Sequence, residues 1–249
     1  MLIGCNSFTV MSNVAVQLSH ISKKYVVHHE KPTLVENIFK RTTSEAFWAL
    51  RNINLTIHKG EKIGIIGPNG SGKTTLLKII AGITAPTTGA ANIYGRVVSL
   101  IELKAGFHPD LTGEENILLN GLLIGMSKDE IRNKITSIIN FADIGSFIDA
   151  PFYTYSNGMA LRLGFSIAVH AEPEILVLDE NMAVGDEKFG QKSQKKMEQF
   201  FRQNKTIILV SHDLDFVKDS CTLTILMTGG KITKMGKSPA IVKYYRNTM

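Results

Sequence analysis

Three short stretches hold the residues best suited to chemistry. Gly67-Pro68-Asn69-Gly70-Ser71-Gly72-Lys73-Thr74 has the spacing G-x-x-x-x-G-K-[ST] of a phosphate-binding loop. Its glycines let the backbone wrap a phosphate, and the amides that open the next helix point at it. Lys73 reaches the β- and γ-phosphates of a nucleotide such as ATP, and the Thr74 hydroxyl ligates Mg2+. Thr75 belongs to the same helix start. Asp179 and Glu180 close the apolar run Ile175-Leu176-Val177-Leu178, and His212 closes Thr206-Ile207-Ile208-Leu209-Val210-Ser211. Asp179 holds Mg2+, directly or through water, and Glu180 orients and polarises the attacking water. His212 contacts the γ-phosphate. The competing readings are a solvated strand end for the acids and a structural role for the histidine. The matched buried strands before them favour chemistry.

These residues need elements to hold them. Residues 62–66 form an apolar run of strand length, and 75–81 read as the following helix, stopped by Gly82. Residues 175–178 and 206–210 are continuous apolar runs flanking a helical stretch at 187–203. Strand, helix, strand of this kind implies a parallel sheet covered on both faces. In such sheets ligands sit at the carboxyl ends of the strands, so the three stretches converge on one phosphate.

The rest of the chain supplies further elements. Residues 14–18 read as the first strand, and 48–57 alternate with period two. Short strands surround residues 91–100, and 223–235 form a hairpin centred on Gly229-Gly230, ahead of a last helix at 238–246. Between the two sheet-forming parts lies a helical block, about residues 111–170. One helix starts at 112–116 and continues to 125. A capping box, Ser127 with Glu130, opens another that runs to 141, and a short helix follows at 143–148. Ser156 is a good N-cap for a helix over 160–170. Asn157 and Gly158 tolerate left-handed backbone, which would turn amides outward and make a second anion-binding helix start.

The chain has 249 residues, 44% hydrophobic and 20% charged, which suits one large α/β domain or two small ones. Its net charge of +6 and pI near 9.2 allow nucleic acid or an anionic membrane surface as partner, but nucleotide sites also need cations. Cys5 and Cys221 lack metal-ligand spacing. No apolar run approaches the roughly 18–20 residues that span a bilayer, so action at a membrane requires a membrane partner. The first ten residues do not read as a signal peptide, and translation begins at Met1 or at Met11. Residues 26–47 form a charged insertion with a short amphipathic helix at 33–41. It packs locally on the surface or lies at a membrane surface. His28 and His29 within it read as solvated.

The phosphate loop, the Ser156-Asn157-Gly158 turn before a helix, Ile175-Leu176-Val177-Leu178-Asp179-Glu180, and Ser211-His212-Asp213 together resemble the ATP-binding cassette (ABC) ATPases from about residue 14 onward. The resemblance implies an α/β P-loop NTPase fold: a mainly parallel sheet core with antiparallel β elements and an inserted α-helical subdomain. It implies an N-terminal extension at 1–13 and an ABC ATPase domain at 14–249. It implies a homodimer that sandwiches two ATPs with Mg2+, with Ser156, Asn157 and Gly158 closing on the partner's γ-phosphate. Tyr25 sits where the family's aromatic stacks on adenine; the alternative is a core aromatic at a strand end. Asp186, in Ala183-Val184-Gly185-Asp186, resembles the loop that meets the partner cassette.

Several segments are similar to the branch that exports cell-surface polysaccharide. They are Phe47-Trp48-Ala49-Leu50-Arg51, the run from Ala105 to Asn116, Tyr155-Ser156-Asn157-Gly158-Met159, Arg162-Leu163-Gly164-Phe165, and Ala183-Val184-Gly185-Asp186. That branch includes ATPases for O-antigen, capsule and teichoic acid. The resemblance implies an ATPase at the cytoplasmic face of the bacterial inner membrane. Its partner is an ABC-2 type permease dimer that handles the glycan, most specifically O-antigen, and no nucleic acid is implied. Capsule or teichoic acid export is the alternative, and after it a cassette for another cargo or a nucleic-acid-linked ATPase; the long coiled-coil insertions or paired cassettes of the last do not appear. The chain departs from the family frame at Tyr155, Asn157 and Met159, and after Glu180 at Asn181-Met182. The glutamine of the loop that senses Mg2+ and permease is absent from 100–110, leaving Glu102 or His108 for that role. No carbohydrate-binding sandwich is expected after the cassette.

Overall fold

The computed structural model describes residues 13–28, 44–179 and 187–248. The helix expected at 33–41, His29, Met11, Glu180, Asn181, Met182 and Asp186 lie outside the described residues.

Among the described residues the strands form two sheets. β1 (Val14–His28) pairs antiparallel with β2 (Ser44–His58) on one side and β4 (Thr88–Ile93) on the other. The β1–β2 ribbon outruns β4, whose pairing with β1 reaches only Ser22 and Thr88. The first strand is thus much longer than the 14–18 core read from sequence, because Lys23, Lys24 and Tyr25 continue the ladder against Leu50, Trp48 and Phe47.

The second sheet has the order β5-β6-β7-β3-β8-β9. β3 (Lys62–Ile66), β5 (Val97–Ser99), β6 (Ile175–Leu178), β7 (Thr206–Val210) and β8 (Leu223–Thr228) run parallel, and β9 (Lys231–Lys237) returns antiparallel from β8. Gly229 and Gly230, at φ 56° and 76°, make the two-residue turn between them. The apolar runs are buried on both faces, as a parallel sheet requires. Alternate residues serve different cores. Ile175, Val177, Ile208 and Val210 face one core with Ile63 and Ile65, while Leu176, Leu178, Ile207 and Leu209 face the other.

The first of these cores lies between the sheets and holds α1 (Lys73–Ile80) through Leu76, Leu77, Ile79 and Ile80. The second lies beneath the helical block: α2 (Gly113–Leu123), α3 (Lys128–Ala142), and α4 (Asn157–His170). Thr112 with Glu115 and Ser127 with Glu130 each form a complete capping box. The short helix expected at 143–148 is a 3-10 turn, Gly145–Asp149. α5 (Glu187–Arg202) buries Phe189, Met197 and Phe200 on the same core. α6 (Leu214–Ser220) was not anticipated; Asp213 caps it by accepting from the amides of Asp215 and Phe216. α7 (Ser238–Thr248) closes the described chain. No described helix is long and apolar enough to cross a membrane.

The helical block is tied to the sheet by ion pairs as well as by its core. The Arg96 guanidinium, between β4 and β5, donates to both Glu130 oxygens at 3.2 and 3.1 Å and to the Ala171 carbonyl at 2.7 Å. Lys134 of α3 pairs at 2.8 Å with Glu172, in the connection to β6, and within the block donates to the His170 carbonyl at the end of α4 at 3.1 Å. At Gly164 of α4 a Cβ would stand 2.3 Å from the Leu103 carbonyl oxygen, so only glycine lets α4 lie this close to the 100–106 loop.

Candidate functional site

The phosphate loop runs from the carboxyl end of β3 into α1. Gly67, Gly70 and Gly72 have φ of 144°, 75° and 99°, conformations that side chains oppose. A Cβ at Gly67 would meet the Met227 carbonyl at 2.1 Å, and one at Gly72 the Ala49 carbonyl at 2.5 Å. At Gly70 it would point into open space. The loop is therefore pressed against β8 and β2 on its outer side and open on its inner side.

Lys73 is buried, and its ammonium donates to the Gly67 and Pro68 carbonyls at 2.8 and 3.0 Å. That folds a cation across the loop. Two features fit an absent anion. α1 has no side-chain cap at Gly72, so its first amides take no hydrogen bond from one. The buried Ser71 hydroxyl oxygen has no hydrogen-bond partner among the described residues.

Beside the loop lies a cavity of about 340 Å³. The loop from Asn69 onward, Lys73, Thr74 and Thr75 line one part of it, and Asp179 and His212 line another. Tyr25, Phe47 and Ala49 of the β1–β2 ribbon form the remaining wall. The ends of β3, β6 and β7 thus meet at one cavity, and the ribbon adds the aromatic side. Thr74 and Asp179 offer hydroxyl and carboxylate oxygens, the donor types a hard cation such as Mg2+ takes. Tyr25 and Phe47 stand directly opposite in the ladder, with ring centroids 5.7 Å apart and planes tilted by 31°. The Lys23 ammonium lies 5.2 Å from the Tyr25 ring centre and donates to the Ala85 carbonyl at 2.8 Å. Phe47 was not singled out as a site residue from sequence. Its register opposite Tyr25 is what reveals it.

Other expected site residues lie elsewhere. Ser156, Asn157 and Gly158 do not line this cavity. Ser156 caps α4, accepting from the Met159 amide at 3.2 Å. Asn157 and Gly158 are not left-handed, which corrects the expectation of outward-turned amides. They form the first turn of α4 itself, because Ser156 starts the helix earlier than the 160 read from sequence. The Asn157 side-chain oxygen accepts from the Lys104 ammonium at 2.9 Å. Tyr155 donates to the Phe147 carbonyl at 2.6 Å, and burial pushes its hydroxyl up to about 12.

Glu102 and His108 are distinguished by their partners. Glu102 pairs at 2.6 Å with Lys78 of α1, and that hydrogen bond raises the lysine above its ordinary value, with Asp179 among the smaller contributors. His108 instead belongs to a turn held by buried Asn116, whose side chain accepts from the His108 amide and donates to the carbonyls of His108, Leu111 and Thr112. Neither lines the cavity.

A phosphate loop at the end of a central parallel strand, acid and histidine at neighbouring strand ends, and a helical block beside the sheet define a P-loop nucleoside-triphosphatase cassette. A profile of the ABC transporter family matches residues 50–183, just over half of the chain. An O-antigen export system ATP-binding protein of Myxococcus xanthus is 51% identical over 81% of this chain, and the chain spans 46% of that relative's length. A teichoic acids export ATP-binding protein of Listeria innocua is 43% identical over 94% of this chain and 70% of its own. In fold, the chain is like a dimeric ATP-binding cassette solved in a post-hydrolysis state with ADP and phosphate. The TM-score is 0.65 at 24% identity, over 90% of this chain and 98% of that one. The chain belongs to the ABC transporter family, as an ATP-binding cassette.

Proposed function

We propose that the chain is the ATP-hydrolysing subunit of a polysaccharide exporter, with lipopolysaccharide O-antigen as its cargo. The observation that carries the enzymatic part is the shared cavity of Tyr25, the phosphate loop, Asp179 and His212. The amides of the loop and of α1 cradle the phosphates, and Lys73 leaves the Gly67 and Pro68 carbonyls for the β- and γ-phosphates. Thr74 and, directly or through water, Asp179 would hold Mg2+, which would supply positive charge against the phosphates. Glu180, next in the chain after Asp179, orients the attacking water, and His212 contacts the γ-phosphate. The attack is in line, with ADP leaving. Ser156, Asn157 and Gly158 act on the nucleotide of a second copy, so the working unit is a homodimer. The domain runs from residue 14 onward, with 111–170 as its helical subdomain and 26–47 as a branch-specific insertion.

The cargo follows the similarity to the Myxococcus xanthus protein. The membrane partner is an ABC-2 type permease dimer, and the chain sits at the cytoplasmic face of the inner membrane. A second reading, teichoic acid as cargo, is favoured by the longer match to the Listeria innocua protein.

Lys73→Ala tests the loop: nucleotide affinity falls steeply, and undiminished ATP binding refutes the assignment. Glu180→Gln keeps ATP binding, stabilises the dimer and nearly abolishes turnover; wild-type turnover removes Glu180 from its role. Placed in the chromosome, Glu180→Gln strips O-antigen from the cell surface. A normal O-antigen ladder refutes that cargo, and loss of wall teichoic acid selects the second reading.

A further inference from the structure

Between the core and the cavity, the β1–β2 ribbon breaks its register twice in opposite senses. Leu18 pairs with Leu55 and Ile21 with Ile53, so β1 uses Ser19 and His20 where β2 uses only Asn54. Leu50 then pairs with Lys23, so β2 uses Asn52 and Arg51 where β1 uses only Ser22. The first excess shows against β4 as well, where Ser19 pairs with Ala90 and Ser22 with Thr88. A Cβ at Gly89 would stand 2.4 and 2.5 Å from the Ser19 and His20 carbonyl oxygens, so β4 follows this bulge closely. His20 and Asn52 are left-handed, with φ of 53° and 51°, and mark the two bulges.

The bulges hold each other across the ribbon. The His20 amide donates to Asn54 Oδ1 at 2.9 Å, and the Asn52 amide donates to Ser22 Oγ at 3.0 Å. His20 Nδ1 lies 2.9 Å from Asn52 Oδ1.

Side chains on a strand alternate in face, so one extra residue exchanges the faces. Val16 and Leu18 face the core between the sheets before the His20 bulge, and Ile21 faces it after. The inner set passes from even to odd numbers, and Tyr25 follows. In an unbroken strand Ser22 and Lys24 would continue the inner face, and Tyr25 would point away from the cavity that it lines. The core does not fix this alone. From Ser22 to Val26 no residue of β1 is buried, so burial specifies the register there only weakly.

We propose that His20 and Asn52 are positioning residues, whose paired left-handed bulges turn Tyr25 into the cavity and so set affinity for the base part of a nucleotide. This rests on the reading that Tyr25 meets the base of a nucleotide whose phosphates lie on the loop. Valine opposes a left-handed backbone, because its branched side chain crowds there, whereas glycine accepts it freely. Loss of a bulge lets the unanchored end of β1 slip against β2 and takes Tyr25 off the base.

The test measures two Kd values on the full chain: for ATP, by displacement of a fluorescent ATP analogue, and for tripolyphosphate, which has no base, by calorimetry. His20→Val with Asn52→Val weakens ATP about five- to tenfold and tripolyphosphate less than about twofold. His20→Gly with Asn52→Gly keeps the bulged backbone and stays within about twofold of the wild type for both ligands. Tyr25→Ala weakens ATP about tenfold, and adding the valine pair to it weakens ATP less than about twofold further. Equal weakening of ATP by the glycine and valine pairs, a valine effect that extends to tripolyphosphate, or full additivity with Tyr25→Ala overturns the positioning role. A silent Tyr25→Ala overturns it too. Lys73→Ala, run alongside, weakens both ligands; if it does not, the nucleotide reading itself fails. If Lys73→Ala and Tyr25→Ala act as expected while the valine pair is silent, only the positioning role fails. Melting temperatures confirm folding, and His20→Val alone replaces the valine pair if that one unfolds.

Discussion

Two alanine substitutions in the phosphate loop separate strain from function. Gly67 and Gly70 both have positive φ, 144° and 75°, so each substitution imposes backbone strain. They differ in what the new methyl meets. At Gly67 it lands 2.1 Å from the Met227 carbonyl of β8, backbone that cannot move without breaking the sheet. At Gly70 nothing lies within 4 Å. The strain of a left-handed alanine is about 1–2 kcal/mol. The entropy that alanine removes from the unfolded chain returns about 0.4–1 kcal/mol. Gly70→Ala therefore costs about 1 kcal/mol. Gly67→Ala adds overpacking of about 1–3 kcal/mol and sits farther from the left-handed minimum, so its cost is about 3 kcal/mol or more. For a chain of this size, about 2–4 °C of Tm accompanies each kcal/mol. Thermal melts followed by circular dichroism should fall by about 3 °C for Gly70→Ala and about 10 °C for Gly67→Ala. Nucleotide binding has the opposite order relative to stability. The Gly70 methyl enters the open side of the loop, where phosphate belongs, so affinity falls far more than stability does. Equal Tm losses, or a larger loss for Gly70→Ala, refute the packing argument. Full ATP affinity in folded Gly70→Ala refutes the claim that the inner side of the loop receives phosphate.

Two further predictions concern ionisation. The Arg96 guanidinium, aided by the Ser127 amide, lowers the Glu130 carboxyl from 4.5 to about 2. Because the folded value is depressed, the charged carboxylate's stabilisation is complete above about pH 4.5 and is lost as pH falls toward 2. The difference in urea midpoint between wild type and Glu130→Gln should narrow from pH 6 to pH 3; a constant difference refutes the pairing. Burial pushes the Cys221 thiol, 7% exposed, up to about 12. In a Cys5→Ala background the native chain at pH 8 should resist Ellman's reagent and react only on unfolding. Fast labelling of the native chain contradicts this burial.

The parts of the fold that were legible from sequence are those fixed by local pattern. β3, β6 and β7 are short continuous apolar runs, and the two members of the capping box, Ser127 and Glu130, lie three residues apart in the chain. What escaped depends on pairing. The extension of β1 through Tyr25 shows no apolar alternation of its own; it exists because β2 lies beside it. Phe47 becomes a site residue only through the same register. The reading of Asn157 and Gly158 failed for a different reason. Both residues permit left-handed backbone, but permission is not requirement, and the Ser156 cap starts the helix before them. Glu102 and His108 carried similar promise in sequence. The Lys78 ion pair and the Asn116 turn, both tertiary, tell them apart.

The placement of the chemistry follows from the two cores. Each central strand sends alternate residues to opposite cores, so the sheet is clamped on both faces and its carboxyl edge is held firmly. Lys73, Asp179 and His212 sit on or just past that edge, where groups from three strands converge without any loop having to carry them far. Ser156 belongs to the block that only one of these cores supports. Arg96 with Glu130, and Lys134 with Glu172 just ahead of β6, fasten that block to the sheet beside β5 and β6. With the block so fastened, Ser156 and Asn157 stay off the chain's own cavity. A phosphate that touches both Lys73 and Ser156 therefore requires either that these ties give way or that two copies meet. The Arg96 pairing, with its bidentate geometry and its third bond to the Ala171 carbonyl, favours the second.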